Sequence, residues 1–136
     1  MSQENAERLR AYLEVFDSEA LSRGEIDWPF LASDVTYADE ILPDHVGEVY
    51  RGREGVGRAG RAWLAPYETH SIELERIIDA GDSVVSVHRF RARARTTGIE
   101  FDEPLAWLFK FRDGEVTHWH AYTSAEEALE AAGLRE

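Results

Sequence analysis

Hydrophobic positions along the chain change period once, near its middle. Leu9, Tyr12, Leu13, Phe16 and Ala20 recur at helical spacing with charged residues between them, and Gly24 offers a stop. That pattern predicts one amphipathic helix with a core-facing stripe. A short apolar turn over residues 28–31 follows, then residues 35–38, whose β-branched and aromatic content predicts a strand ending at the acidic pair Asp39 and Glu40. A loop with Pro43 and Gly47 leads to Val49 and Tyr50. From residue 54 to 64 the helical period returns through Val56, Ala59 and Trp63, in spite of Gly55, Gly57 and Gly60. Each of those glycines costs a helix about 1 kcal/mol relative to Ala.

After Pro66 the period becomes two and stays there. Residues 72–78, 83–96, 100–112 and 115–123 read as four strands, separated by turn residues at Gly81, Gly98 and Asp113-Gly114. Consecutive hairpins predict an antiparallel meander. The final segment, residues 124–132, opens with a capping Ser124, carries Glu126 and Glu127 where the helix dipole favours acids, and meets Gly133. Helices followed by a long curved sheet define an α+β fold, expected as three helices packed on one strongly bent, mixed but mostly antiparallel sheet that encloses a pocket.

Composition narrows the function classes. At 136 residues, with 43% hydrophobic and 31% charged, the chain suits a single packed domain over residues 1–136. Acids outnumber bases 27 to 15, for a formal charge of −12, which disfavours non-specific nucleic-acid binding. The absence of cysteine removes disulfides, thiolate metal sites and a cysteine nucleophile. No signal-like start and no long apolar run occur, so a cytoplasmic location away from membranes is expected. No Gly-rich phosphate loop follows a strand, so no cofactor is expected. His118 and His120 share one strand face with no third ligand nearby in sequence, so no metal is expected either.

Alternation sorts the strand residues further. In the strand from Ser83, one face presents Val84, Ser86, His88, Phe90 and Ala92, and the other presents Arg89, Arg91, Arg93 and Arg95. Four arginines do not line an apolar cavity unpaired, so His88 and Phe90 are the inward residues. In the next strand Leu105, Trp107, Phe109 and Phe111 share the apolar face.

Four stretches carry a family resemblance: the end of the first helix at Arg23-Gly24-Glu25, the run from Ala32 to Asp39, the Tyr50-Arg51-Gly52-Arg53-Glu54-Gly55 helix start, and the run from Trp107 to Val116 continuing through Trp119, His120, Ala121 and Tyr122. In these the chain resembles the NTF2-like superfamily, and within it the SnoaL-like polyketide cyclases, ketosteroid isomerases and limonene-epoxide hydrolases. The resemblance implies a cone whose helices close the concave face of a bent sheet over a mostly apolar pocket. It also implies a homodimer joined through the outer sheet face, with Trp119 and Ala121 inside and His118 and His120 outside. Asp39 occupies the place of the isomerases' proton-shuttling carboxylate, at the pocket side of the first strand. The match then departs: the isomerases' oxyanion-hole positions fall near Phe16 or Asp17 and at Trp107, with Tyr12 one turn earlier on the same helix face. The hydrolases' Asp-Arg-Asp positions fall on His88, Phe90 and Ala121. Steroid isomerisation and epoxide hydrolysis are therefore both disfavoured.

What remains is a small, largely apolar ligand in a pocket lined by Tyr12, Phe16, Tyr37, Tyr50, Phe90, Trp107 and Trp119, with Asp39 and His88 as the acid–base candidates. Three functions fit: an isomerase- or cyclase-type enzyme moving protons on a polyketide- or terpenoid-like carbonyl compound, a non-catalytic ligand-binding protein, and a dimeric interaction module.

Overall fold

A computed structural model describes residues 2–39, 41 and 47–133; the loop around Pro43 lies outside them. The elements run α1 (Ser2–Leu13), α2 (Ser18–Ser22), β1 (Leu31–Asp39), β2 (Tyr50–Arg51), α3 (Gly52–Leu64), β3 (Tyr67–Asp79), β4 (Ser83–Ala94), β5 (Glu100–Arg112), β6 (Glu115–Tyr122) and α4 (Ala125–Ala131). One six-stranded sheet forms in the order β2-β1-β6-β5-β4-β3. Only β1 and β6 pair in parallel, and every other neighbour is antiparallel. The three meander hairpins turn at the glycines the sequence pointed to, each with positive φ; at the last, Asp113 also sits at φ 52°, so both central residues of Asp113-Gly114 are left-handed. Register shifts within β3 and between β5 and β6 bend the sheet.

The first helical segment is two helices rather than one. Asp17 accepts a hydrogen bond from the Glu19 amide at 2.9 Å and caps a new helix. A capping carboxylate competes with helix continuation, so the chain breaks at residues 14–17 and restarts in a new direction. The break lets Phe16 turn onto Trp107, ring centroids 5.4 Å apart, while Leu21 packs under α3.

The glycines of α3 have a packing reason. A Cβ on Gly57 would lie 2.3 Å from the Gly24 carbonyl oxygen, and one on Gly60 would lie 2.4 Å from Leu21 Cδ1. The helix therefore accepts the propensity cost in exchange for close contact with α2 and the turn that ends it. α1, α2 and α3 close the concave face. α4 lies on the opposite face, where Ala128 and Leu129 cover Val85, Val87, Ala106 and Leu108. Four helices thus form where three were expected: the first is split into α1 and α2, and the terminal helix, α4, covers the back of the sheet instead of the concave face. Two of the four outward arginines are ion-paired: Arg89 and Arg91 both reach Asp102, Arg89 also reaches Glu75, and Arg91 reaches Glu73, while Arg95 donates to the Tyr67 carbonyl.

Candidate functional site on the concave face

The ladder registers set the site in rows. Asp39, Ala121, Trp107 and Ser86 lie in one row across β1, β6, β5 and β4, and Tyr37, Trp119, Phe109 and Val84 lie in the next. Alternation with the residues under α4 turns these side chains to the concave side. All eight are buried. Tyr37, Phe90, Trp107 and Trp119 belong to the core cluster, and Tyr12, Phe16 and Tyr50 pack against it half-buried. His118 is exposed, and His120 stacks on Tyr122 at 4.4 Å. Trp119 and Ala121 are inside. Tyr37, Phe90, Trp107 and Trp119 are therefore in the core of the concave face, and Tyr12, Phe16 and Tyr50 lie against its edge.

Asp39 is 2% exposed. Its carboxylate accepts hydrogen bonds from the Tyr37 hydroxyl and from the Ile41 amide, the latter at 3.1 Å. Burial, then the neighbouring Asp39 charge and hydrogen bond, push the Tyr37 phenol well above its ordinary value, so Tyr37 stays a protonated donor. His88, wholly buried, is pushed down to about 3 by desolvation and is neutral at pH 7. Its Nε2 lies 2.8 Å from Ser86 Oγ, and its Nδ1 has no partner. If the Ser86 hydroxyl donates to Nε2, the pair leaves one unmatched group, Nδ1–H. If Nε2–H donates instead, it leaves two, the serine proton and the Nδ1 lone pair. The first arrangement strands fewer buried polar groups, so Nδ1 carries the ring proton.

Trp107 Nε1 and Trp119 Nε1 are likewise buried without a hydrogen-bond partner. The three rings are contiguous, with His88 4.4 Å from Trp107 and Trp107 5.0 Å from Trp119. The concave face therefore carries a connected row of three N–H donors, each seeking an acceptor. At one end Trp28 stacks on Trp119 at 4.9 Å and 7°. A groove of about 500 Å³ lies against Phe16 and Leu74, and Leu74 is the ladder partner of His88. A second, of about 540 Å³, lies at the end of β6 between Ile41 and Ala121 on one side and Glu127, Glu130 and Ala131 of α4 on the other.

Asp39 and His88 do not share a strand pair. Three strand spacings separate the row position of Asp39 from Ser86, about 14 Å along the sheet at about 4.8 Å per strand. Sequence reasoning missed three features. Trp28 enters the face from a turn with no period to betray its direction. Ser86 fixes the His88 tautomer, a role visible only once both are inward and adjacent. The third is a clasp between α2 and β3. Ser18 Oγ donates to the His70 carbonyl at 3.1 Å and so receives His70 Nδ1–H at 2.7 Å, while His70 Nε2 faces Glu19 at 3.6 Å. Among the described residues no group of three or more His, Asp or Glu side chains is placed to hold a metal. No helix among them is long and apolar enough to cross a membrane.

A bent sheet closed by helices over an aromatic interior is the architecture of small-ligand-binding α+β cones. Residues 9–119 match the model of the SnoaL-like domain, and the chain belongs to that family. Solved structures with the same fold include a hypothetical protein with a ketosteroid isomerase-like fold from Catenulispora acidiphila in complex with trimethylamine. It is 24% identical, with 94% of this chain and 93% of that one covered and a TM-score of 0.64. A SnoaL-like polyketide cyclase fold from Jannaschia sp. CCS1 is 15% identical over 96% and 91% of the two chains, with a TM-score of 0.68. TerC, co-crystallised with polyporic acid, is 16% identical over 97% and 98%, with a TM-score of 0.64. At these identities the likeness is one of fold. No curated protein matches the sequence.

Proposed function

We propose that this protein binds a flat, largely apolar carbonyl compound against the concave face, and that Asp39 serves as a proton acceptor toward it. The observation that carries the reading is the row of three buried nitrogens without hydrogen-bond partners, His88 Nδ1, Trp107 Nε1 and Trp119 Nε1, all three donors once Ser86 donates to His88 Nε2. A buried donor without an acceptor costs about 1–3 kcal/mol. A ligand bringing two or three oxygen acceptors recovers that cost, and the aromatic walls supply the binding area. With a carboxylate in the same interior, neutral carbonyl groups complement the face better than anions. That two fold relatives were crystallised with small molecules, trimethylamine and polyporic acid, agrees with a small-molecule ligand.

Chemistry on such a ligand is proton transfer. Asp39 takes a proton beside a carbonyl, and the indole N–H of Trp119, in the adjoining row, stabilises the oxygen that gains charge. His88 remains neutral and polarises a second, distant carbonyl as a hydrogen-bond donor. Asp39→Asn should abolish turnover of a polyketide- or terpenoid-like carbonyl substrate while changing affinity less than about three-fold, the pattern of an interaction made in the transition state. Deuterium exchange at the carbon beside the carbonyl, followed by NMR, is the readout. Exchange at the wild-type rate in the variant contradicts the assignment of Asp39.

The second reading is a binding protein without turnover, favoured by the separation of Asp39 and His88 across three strand spacings. Under it, carbonyl ligands bind and no exchange occurs in either protein. A homodimer through the outer sheet face, around His118, His120 and Tyr122, completes the proposal. Sedimentation at micromolar concentration should give twice the 15.5 kDa chain mass, and a species at 15.5 kDa alone contradicts it.

A further inference from the structure

Residues 14–17, between α1 and α2, span two anchored points. On one side Leu13 is buried in the core. On the other, Ser18 Oγ lies 2.7 Å from His70 Nδ1 and donates to the His70 carbonyl at 3.1 Å, which pins the start of α2 to β3. Within the span the two apolar side chains part company. Val15 is 77% exposed, whereas Phe16 is half-buried against the core cluster.

The Phe16 ring stands at a boundary. It forms part of the wall of the groove of about 500 Å³ that also meets Leu13, Ile72 and Leu74. It also meets Trp107 edge-to-face at 5.4 Å and 66°, and Trp28 at 6.1 Å and 72°. Trp107 in turn touches His88 at 4.4 Å, and Trp107 Nε1 and His88 Nδ1 are two of the buried nitrogens without a hydrogen-bond partner. Among the described residues that line the groove, Phe16 alone makes a ring contact with Trp107. One half-buried ring thus separates a solvent-filled groove from two donors that lack acceptors.

We propose that the ligand is an aromatic or quinone-type carbonyl compound whose ring takes the place of the Phe16 ring against Trp107. The inference rests on the reading that the concave-face donors meet carbonyl oxygens, and it narrows the ligand class by the contacts a ligand must replace. A compound entering from the groove meets Phe16 first. A short span between two anchors can turn Phe16 outward while α1 and β3 stay in place. Edge-to-face pairs gain energy beyond their buried area, so an aromatic ring recovers what Phe16 gives up against Trp107 and Trp28. A saturated ring or an alkyl chain recovers the area alone. Phe16 is thereby the specificity-determining residue of the site, since displacing its ring sets a threshold that aliphatic carbonyl compounds fail to repay.

The test measures affinity for 1,4-naphthoquinone by quenching of tryptophan fluorescence, with the saturated decahydronaphthalene-1,4-dione as a competitor. The wild type should bind the quinone about ten-fold more tightly than the saturated dione, the worth of one aromatic pair. Phe16→Leu should bind the quinone more tightly than the wild type, and Phe16→Ala by up to about ten-fold, because neither has a ring to displace. Val15→Ala, in the same span, should leave affinity unchanged, and Phe16→Leu decides the matter if Phe16→Ala does not fold. Equal affinity of the wild type for the two probes overturns the proposal. So does quinone binding that is equal or weaker in both Phe16 variants, which would make Phe16 a fixed wall, or a gain in Val15→Ala that matches theirs. In each of those cases the quinone still binds, and the reading of the concave face as a carbonyl site stands. Absence of saturable quenching in every one of these proteins overturns that reading and the proposal together.

Discussion

Gly57→Ala should destabilise the protein by about 3 kcal/mol, although the same change in an exposed helix interior stabilises by up to about 1 kcal/mol. The reversal of sign comes from one contact. The new methyl would stand 2.3 Å from the Gly24 carbonyl oxygen and 3.1 Å from its carbonyl carbon, both backbone atoms of the turn that ends α2. That turn is held by hydrogen bonds from the Gly24 amide to Leu21 and from the Glu25 amide to Ala20, so relief requires α3 to lift from α2. Because α3 covers the concave face with Val56, Ala59 and Trp63, the lift also opens the candidate site. Urea denaturation checks the prediction against Ala62→Gly, an exposed change in the same helix expected to cost about 1 kcal/mol. A neutral or stabilising Gly57→Ala contradicts the packing described for α3.

His88 should make the protein acid-sensitive over a defined window. Its folded value is lowered to about 3 by desolvation, from an ordinary value of 6.5. The unfolded chain therefore binds a proton between these limits that the folded chain refuses. Stability contributed by the neutral buried ring is complete above pH 6.5 and declines as pH falls toward 3, at up to about 1.4 kcal/mol per pH unit. Between pH 6.5 and 5 the wild type should lose about 2 kcal/mol more than His88→Asn, which carries no titrating ring. Parallel pH profiles for the two proteins would mean that the imidazole is hydrated.

Much of the fold was legible in the sequence because its signals are local. Asp113-Gly114 demands two left-handed residues, and a tight hairpin supplies them. The alternation from Ser83 onward separated His88 and Phe90 from the arginines correctly, since a carboxylate partner for Arg89 or Arg91 is available only outside. Features set by long-range geometry were not legible. The break at residues 14–17 depends on Asp17 preferring to cap rather than continue, which a hydrophobic period does not register. The glycines of α3 looked like a weakness of the helix until Gly24 and Leu21 were found against them. α4 covers Val85, Val87, Ala106 and Leu108 on the outer sheet face, and alternation along β4 and β5 does not say which face a terminal helix takes. At the site, residue types and direction were readable, but spacing was not. Asp39 and His88 are both buried on the inner face, and only the strand order β1-β6-β5-β4 shows that two strands stand between theirs.

The central claim is that the donors on the concave face are there to meet a ligand. Its most direct measurement is nitrogen-15 NMR of the indole N–H groups of Trp107 and Trp119 and of His88 Nδ1, titrated with 1,4-naphthoquinone, a flat apolar probe with two carbonyl acceptors. The chain has no cysteine to react with the probe. The account predicts saturable shifts at both indoles and at His88 Nδ1, with the indole of Trp63, which stacks on Phe90 at 5.2 Å, moving less. Unmoved signals at Trp107, Trp119 and His88 under saturating probe, or shifts confined to residues outside the concave face, would contradict it.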